Sequence, residues 1–228
     1  MKGLSIKPEL ELIDNHSAGR CKREPGSMTL APTPVSVHVG PGDALVVTDV
    51  QRDFLPGGAL AVAHGDEVIP ALNRYLAECR AQGLPVFLIR DWHPADHCSF
   101  QTRGGPWPPH CVAGTPGAAF DPRLDVPVSA TVIPKGTDRD REAYSAFEGT
   151  ELDVQLRAAG VRRVFVGGLA TEYCVLATVR DALARGFGVA VLADAIRAID
   201  VRPGDGRRAE EEMVRRGATL VRQQSPRP

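Results

Sequence analysis

The chain has 228 residues, 43% of them hydrophobic and 24% charged, enough apolar material for a full core in one domain with a segment to spare. A formal net charge of −1 excludes the basic surface that nucleic acid or an acidic membrane selects. No apolar run is long enough to span a bilayer, and the five cysteines (Cys21, Cys79, Cys98, Cys111, Cys174) lack CxxC spacing or disulfide-like regularity, so a reducing cytoplasm is expected.

Residues 1–40 mix Lys, Pro, Ser and Gly with no sustained helical or strand period apart from Leu10-Glu11-Leu12-Ile13. They read as a disordered leader, with 41–224 as the folded domain. The leader has neither the apolar stretch of a secretory signal nor the Arg-rich pattern of a transit peptide. Lys2, Lys7 and Lys22 all precede Met28, a composition shift that suggests Met28 as a natural start. His16 and Cys21 within the leader read as solvated.

Ala44 to Val50 is a short apolar run of the kind found in a strand covered on both faces, and it contains Asp49 near its end. A carboxylate there sits where open α/β sheets form their ligand crevice, or else caps the following turn. Gln51, Asp53 and Phe54 follow as candidates for a pocket wall. Asp66 is the expected cap of a helix whose Val68, Leu72, Tyr75, Leu76 and Cys79 share one face and which stops at Gly83.

Leu84 to Ile89 is the next expected strand, and it leads into Arg90-Asp91-Trp92-His93-Pro94-Ala95-Asp96-His97. In an extended exit Asp91 and His93 project to the same side, since side chains alternate. A carboxylate with imidazoles suits Zn, Fe or Mn, and His110, in the proline-rich Trp107-Pro108-Pro109-His110-Cys111, is the natural third ligand. Singly, each of these histidines is more often a loop residue than a ligand. Cys98 and Cys111 read as packing residues.

After an irregular stretch, Thr131-Val132-Ile133 forms a short strand that delivers Lys135 at its end. From Met28 onward this is the one lysine in a chain that otherwise uses arginine, and arginine cannot supply a compact ammonium whose proton affinity responds to burial. Residues 137–142 read as a charged solvated loop. A helix begins at Thr150 and ends at Gly160, and Val164-Phe165-Val166 is the strand that runs through Gly167-Gly168-Leu169-Ala170 into the turn carrying Cys174. Thr171 is the expected N-cap, which places Cys174 in a first helical turn where free N–H groups favour a thiolate. The alternative for Cys174 is a small buried hydrophobe. The next helix ends at Gly186, and a strand at Val189 to Leu192, a charged helix over about 205–216 and a strand at Thr219 to Val221 finish the chain.

Strands alternating with helices predict an α/β fold of three layers, α/β/α, around a mostly parallel six-stranded sheet. No internal repeat and no Gly-rich phosphate loop is present. Asp49, Lys135 and Cys174 each follow a separate strand, so one sheet edge can gather a proton acceptor, a cation and a nucleophile for acyl transfer.

The motifs Asp49-Val50-Gln51-Arg52-Asp53-Phe54, Asp91-Trp92-His93-Pro94, Trp107 to Cys111, Lys135-Gly136, Tyr144-Ser145-Ala146-Phe147 and Gly168 to Val175 together resemble the nicotinamidases (pyrazinamidases) of the isochorismatase-like cysteine hydrolase superfamily. The match in order and spacing runs from about residue 43 to 222. The resemblance implies the isochorismatase-like fold and hydrolysis of nicotinamide to nicotinate and ammonia in NAD salvage. It implies Cys174 as the nucleophile, Asp49 as the proton shuttle and Lys135 tuning both, with a thioester intermediate. It implies one divalent metal, Zn with Fe or Mn as alternatives, on Asp91, His93 and His110, with His97 or Ser99 as uncertain additions. Phe54, Trp107, Tyr144 and Tyr173 would surround the ring, and the N–H groups of Ala170 and Cys174 would form an oxyanion hole beside a cis Leu169–Ala170 peptide.

The expected partner is a small pyridine carboxamide, with neither nucleic acid nor membrane, and a homo-oligomer remains compatible with the sequence. The competing reading is a metal-independent amidase or carbamoyl hydrolase of the same superfamily, against which the Asp91, His93 and His110 set argues. A non-enzymatic metal-binding or redox module leaves Lys135 without a purpose, and ether hydrolysis of the isochorismate type needs no cysteine.

Overall fold

A computed structural model describes Val35 and residues 38–223. The leader positions His16, Cys21, Met28 and the first three lysines lie outside the described residues. Six parallel strands form one sheet in the order β3-β2-β1-β4-β5-β6: β1 Asp43–Thr48, β2 Val86–Asp91, β3 Thr131–Lys135, β4 Arg163–Leu169, β5 Gly188–Arg197 and β6 Thr219–Val221. Four α-helices connect them: α1 Val68–Gln82, α2 Leu152–Ala158, α3 Leu176–Ala184 and α4 Asp205–Arg215.

The alternation of side chains along buried strands builds two cores. Leu45, Val47, Leu88, Phe165 and Leu192 face α1 through Leu72, Tyr75 and Leu76. Val46, Ile89, Val164, Val166 and Val191 face the other way, where Leu156 of α2, Val179 of α3 and Met213 of α4 cover them. A sheet covered on both faces explains why its strands read as continuous apolar runs. The α/β/α layering and the strand count expected from the sequence therefore hold, and the sheet is parallel throughout.

The boundaries shift in informative ways. β2 extends to Asp91, so this carboxylate ends the strand rather than following it. β3 includes Pro134, which an edge strand tolerates because one of its sides makes no ladder bonds. The side chain of Asp66 does not cap α1; it lies in a 3-10 turn, Gly65–Glu67, 3.6 Å from Arg123. Thr150 does act at a helix start, its hydroxyl accepting the Leu152 N–H at 3.3 Å. At the β6 edge, Val35 makes an isolated parallel bridge to Val221, and Val39 packs into the α1-side core.

Strand order reverses direction at β1, with β2 on one side and β4 on the other. The crevice at the carboxyl ends of such a pair is where doubly wound sheets bind ligands. Asp49 follows β1, Asp91 ends β2, Lys135 ends β3 and Cys174 follows β4, so all four reach this edge. Among the described residues no helix is long and apolar enough to cross a membrane.

Candidate active site

Lys135 is the hub. Its side chain is fully buried, and Nζ donates to Asp91 Oδ1 at 2.5 Å, to the Ala143 carbonyl at 3.2 Å and to Cys174 Sγ at 3.4 Å. Asp49 Oδ2 is 3.2 Å from the same ammonium, an ion pair by distance that is not directed as a hydrogen bond, so both Asp49 oxygens keep lone pairs free inside the protein. Burial works against the charge on Lys135, but Asp49 and Asp91 outweigh it and hold the ammonium well above its ordinary pKa.

The two carboxylates respond oppositely. Desolvation pushes Asp49 up to about 7, with Lys135 only partly offsetting it. Asp91 is equally buried, yet Lys135 and His93 overcome the desolvation and keep its carboxyl well below the usual range. Cys174 departs from the expectation of a stabilised thiolate. Its burial, with Asp49 and Asp91 nearby, raises the thiol well above its ordinary pKa despite Lys135. Cys174 is therefore held toward the thiol form beside the ion-paired Asp49 carboxylate.

The turn that holds Cys174 also differs from expectation. Thr171 is buried and caps nothing; Ala170 occupies the N-cap position, and Thr171–Val175 forms a π-helical turn that runs into α3. The Tyr173 and Val175 N–H groups converge on the Ala170 carbonyl at 3.1 and 3.2 Å. Such wide turns recur at functional sites, where they re-aim a side chain. The Leu169–Ala170 peptide is cis, as the family resemblance implied. Gly168, at φ 115°, lies so close to β1 that a Cβ would meet the Thr48 carbonyl oxygen at 2.0 Å. Only glycine allows this strand exit.

Beside the triad, ligand atoms of Asp91, His93 and His110 lie within 4.8 Å of one another, and all three residues are buried. His93 Nδ1 donates to the Gly136 carbonyl at 2.9 Å and His110 Nδ1 to the Pro108 carbonyl at 2.8 Å. A carbonyl can only accept, so each Nδ1 carries a proton, and in the neutral imidazole that leaves the Nε2 lone pair for a metal. One carboxylate and two imidazoles, oriented by backbone carbonyls, fit a divalent ion of the Zn, Fe or Mn type. Gly136, at φ 60°, must be glycine because a Cβ would meet the His93 ring at 2.4 Å.

His97 and Ser99 do not face this cluster. His97 Nδ1 pairs with Ser99 Oγ at 2.7 Å, Nε2 reaches the Arg141 carbonyl at 3.0 Å, and the ring stacks on His93 with centroids 4.2 Å apart. His97 thus ties the loop after β2 to residues 139–141, helped by Cys98 N–H on the Arg139 carbonyl. Gln51 and Asp53 are supports rather than pocket walls. Gln51 exchanges two bonds with the Asp91 backbone, each 2.7 Å, and Asp53 accepts the Cys111 N–H at 2.7 Å beside His110. Cys111 is buried in the core as expected, whereas Cys98 is only half-buried.

The pocket above the triad is lined by Phe54, Leu60, Trp107, Tyr144, Tyr173 and Ile199, with Glu142 among its other residues. Trp107 Nε1 donates to Tyr144 Oη at 3.0 Å and meets Tyr173 edge-on at 5.2 Å, which fixes an aromatic corner. Phe100 supports the site from below, its ring edge-to-face with both His93 and His110. Leu60, Phe100, Glu142 and Ile199 carry no motif signal, and the sequence gives no reason to select them. Residues 137–142 are exposed as expected, but Glu142 also borders the pocket.

The isochorismatase domain profile matches residues 43–225. The nicotinamidase of Escherichia coli (strain K12) is 39% identical over 201 residues, covering 79% of this chain and 94% of that protein. The nicotinamidase/pyrazinamidase of Mycobacterium tuberculosis is 44% identical over 159 residues, covering 66% of this chain and 84% of that protein. Among solved structures, the pyrazinamidase of Pyrococcus horikoshii in complex with zinc has a TM-score of 0.77 at 52% identity, covering 80% of this chain and 99% of that one.

Proposed function

The chain belongs to the isochorismatase domain family, and from that premise we propose that it is a nicotinamide amidohydrolase, releasing nicotinate and ammonia in NAD salvage. The observation that carries this reading is the single ammonium of Lys135, which joins Asp49 and Cys174 to Asp91 of the metal cluster. Acyl chemistry and ring binding thereby share one buried charge network.

Cys174 Sγ attacks the amide carbon as its proton passes to Asp49, whose raised affinity suits it to receive one. N–H groups of Ala170 and Cys174 stabilise the oxyanion. Asp49 then gives the proton to the leaving nitrogen, ammonia departs, and a thioester remains on Cys174. Water attacks the thioester while Asp49 takes one of its protons, that proton returns to the sulfur, and the carboxylic acid released gives up its remaining proton to solvent or ammonia to become nicotinate. Lys135 keeps the negative charge on the carboxylates compensated throughout.

Asp91, His93 and His110 would hold one divalent ion, with zinc favoured by the zinc-bound structural relative. When bound, the ion supplies a Lewis-acidic contact for the ring nitrogen of the substrate. Phe54, Trp107, Tyr144 and Tyr173 pack the ring and exclude water. Residues 41–224 form the catalytic domain, preceded by the leader, and the free cysteines support a cytoplasmic setting in which a small carboxamide is the partner.

Two incubations test the reading. Nicotinamide is expected to yield ammonia and nicotinate in equal amounts, and removing the metal with a chelator is expected to raise KM steeply, with recovery on adding zinc. Full activity toward nicotinamide without metal would return the chain to the metal-independent amidase class.

A further inference from the structure

The last wall of the ring pocket is not built by the sheet edge. Ile199 lies in the connection between β5 and α4, and it borders the pocket together with Leu60, Phe54 and Cys174. Its loop is held from one side by Glu172, the second residue of the π-helical turn. Glu172 Oε1 accepts the Asp200 N–H at 2.7 Å and Oε2 accepts the Ile199 N–H at 3.3 Å. Two successive N–H groups thus converge on one carboxylate, and Asp200 between the clamp and α4 is in the left-handed region at φ 55°. From the other side, Asp200 Oδ1 accepts the Gly206 N–H at 2.8 Å in the first turn of α4.

We infer that Glu172 is a positioning residue that sets the ring pocket through Ile199, a role that rests on the amidase reading and deepens it. Glu172 touches neither the reacting atoms nor the ligand cluster. Its side chain leaves the nucleophile's own turn and clamps the loop opposite, so pocket wall and nucleophile share one anchor. Without that carboxylate two N–H groups lose their acceptors, Ile199 withdraws, and the ring loses an apolar contact while Asp49, Lys135 and Cys174 keep their strand-end positions.

Steady-state kinetics on nicotinamide with Glu172→Ala, Glu172→Gln, Ile199→Ala and the Glu172→Ala/Ile199→Ala double variant test this. Glu172→Ala is expected to raise KM about ten-fold, the scale of a lost apolar contact in a pocket. Its kcat is expected to stay within about two-fold of wild type, the pattern of lost ground-state binding. Glu172→Gln, which keeps one acceptor oxygen, falls between wild type and Glu172→Ala. Ile199→Ala raises KM similarly, and the double variant adds nothing further, because both changes remove one coupled element. The rate at which iodoacetamide alkylates Cys174 stays at the wild-type value in Glu172→Ala. A fall in kcat and in alkylation rate at constant KM would overturn the inference, as would KM effects that multiply in the double variant. Wild-type protein that fails to turn over nicotinamide would instead overturn the amidase reading beneath it.

Discussion

Cys174→Ala is expected to lower ammonia release from nicotinamide by about four orders of magnitude or more, with nicotinate still bound. The sulfur lies 3.4 Å from Lys135 and beside the Asp49 carboxylate, and no other described cysteine has these partners. Cys111 is buried in the α1-side core, its thiol pushed up by desolvation, and Cys79 is part of α1 and faces the same core. The aromatic corner and the Asp91, His93 and His110 cluster do not depend on the sulfur, so binding and chemistry separate in this variant. An equilibrium titration with nicotinate alongside the ammonia assay measures both.

Lys135→Met is expected to damage the protein twice. Asp49 and Asp91 would face each other in a buried site with no cation between them, and breaking a buried pair in this way costs about 3–5 kcal/mol. Both carboxyls would then move up in pKa, so Asp91 becomes a poorer metal donor and Asp49 enters the neutral pH range protonated. Activity is expected to fall by about three orders of magnitude. Lys135→Arg is not expected to rescue it, since a planar guanidinium cannot meet Asp49, Asp91, Cys174 Sγ and the Ala143 carbonyl from one point. Denaturant unfolding checks the stability loss, and chelator competition checks the metal affinity.

The apolar runs that became β1, β2, β4 and β5 were legible because both faces of the sheet are covered, leaving no polar alternation to confuse the period. Strand ends are legible too, and with them Asp49, Lys135 and Cys174 as groups meeting at one edge, whereas the sequence places Asp91 after its strand and the structure places it at the strand's end. Burial was not. A cysteine at a helix start suggests a thiolate, yet burial pushes the Cys174 thiol up. Thr171 looked like a cap because the sequence cannot distinguish a π-helical turn from a regular first turn. Gln51 and Asp53 were visible as polar residues near a site, but their work is done on backbone groups 40 and 58 positions away. Ile199 and Glu142 reach the pocket from connections whose paths depend on tertiary contacts, such as the Glu172 clamp, and such contacts leave no periodic trace.

During turnover the amide carbon is expected to become bonded to Cys174. Acid quenching of the enzyme in the presence of saturating nicotinamide, followed by mass spectrometry of its peptides, tests this most directly. The expected result is a nicotinoyl group on the peptide containing Cys174, lost when the sample is treated with hydroxylamine and absent from Cys174→Ala. Ammonia release at the wild-type rate by Cys174→Ala, or a nicotinoyl group found only on another residue, would contradict the account.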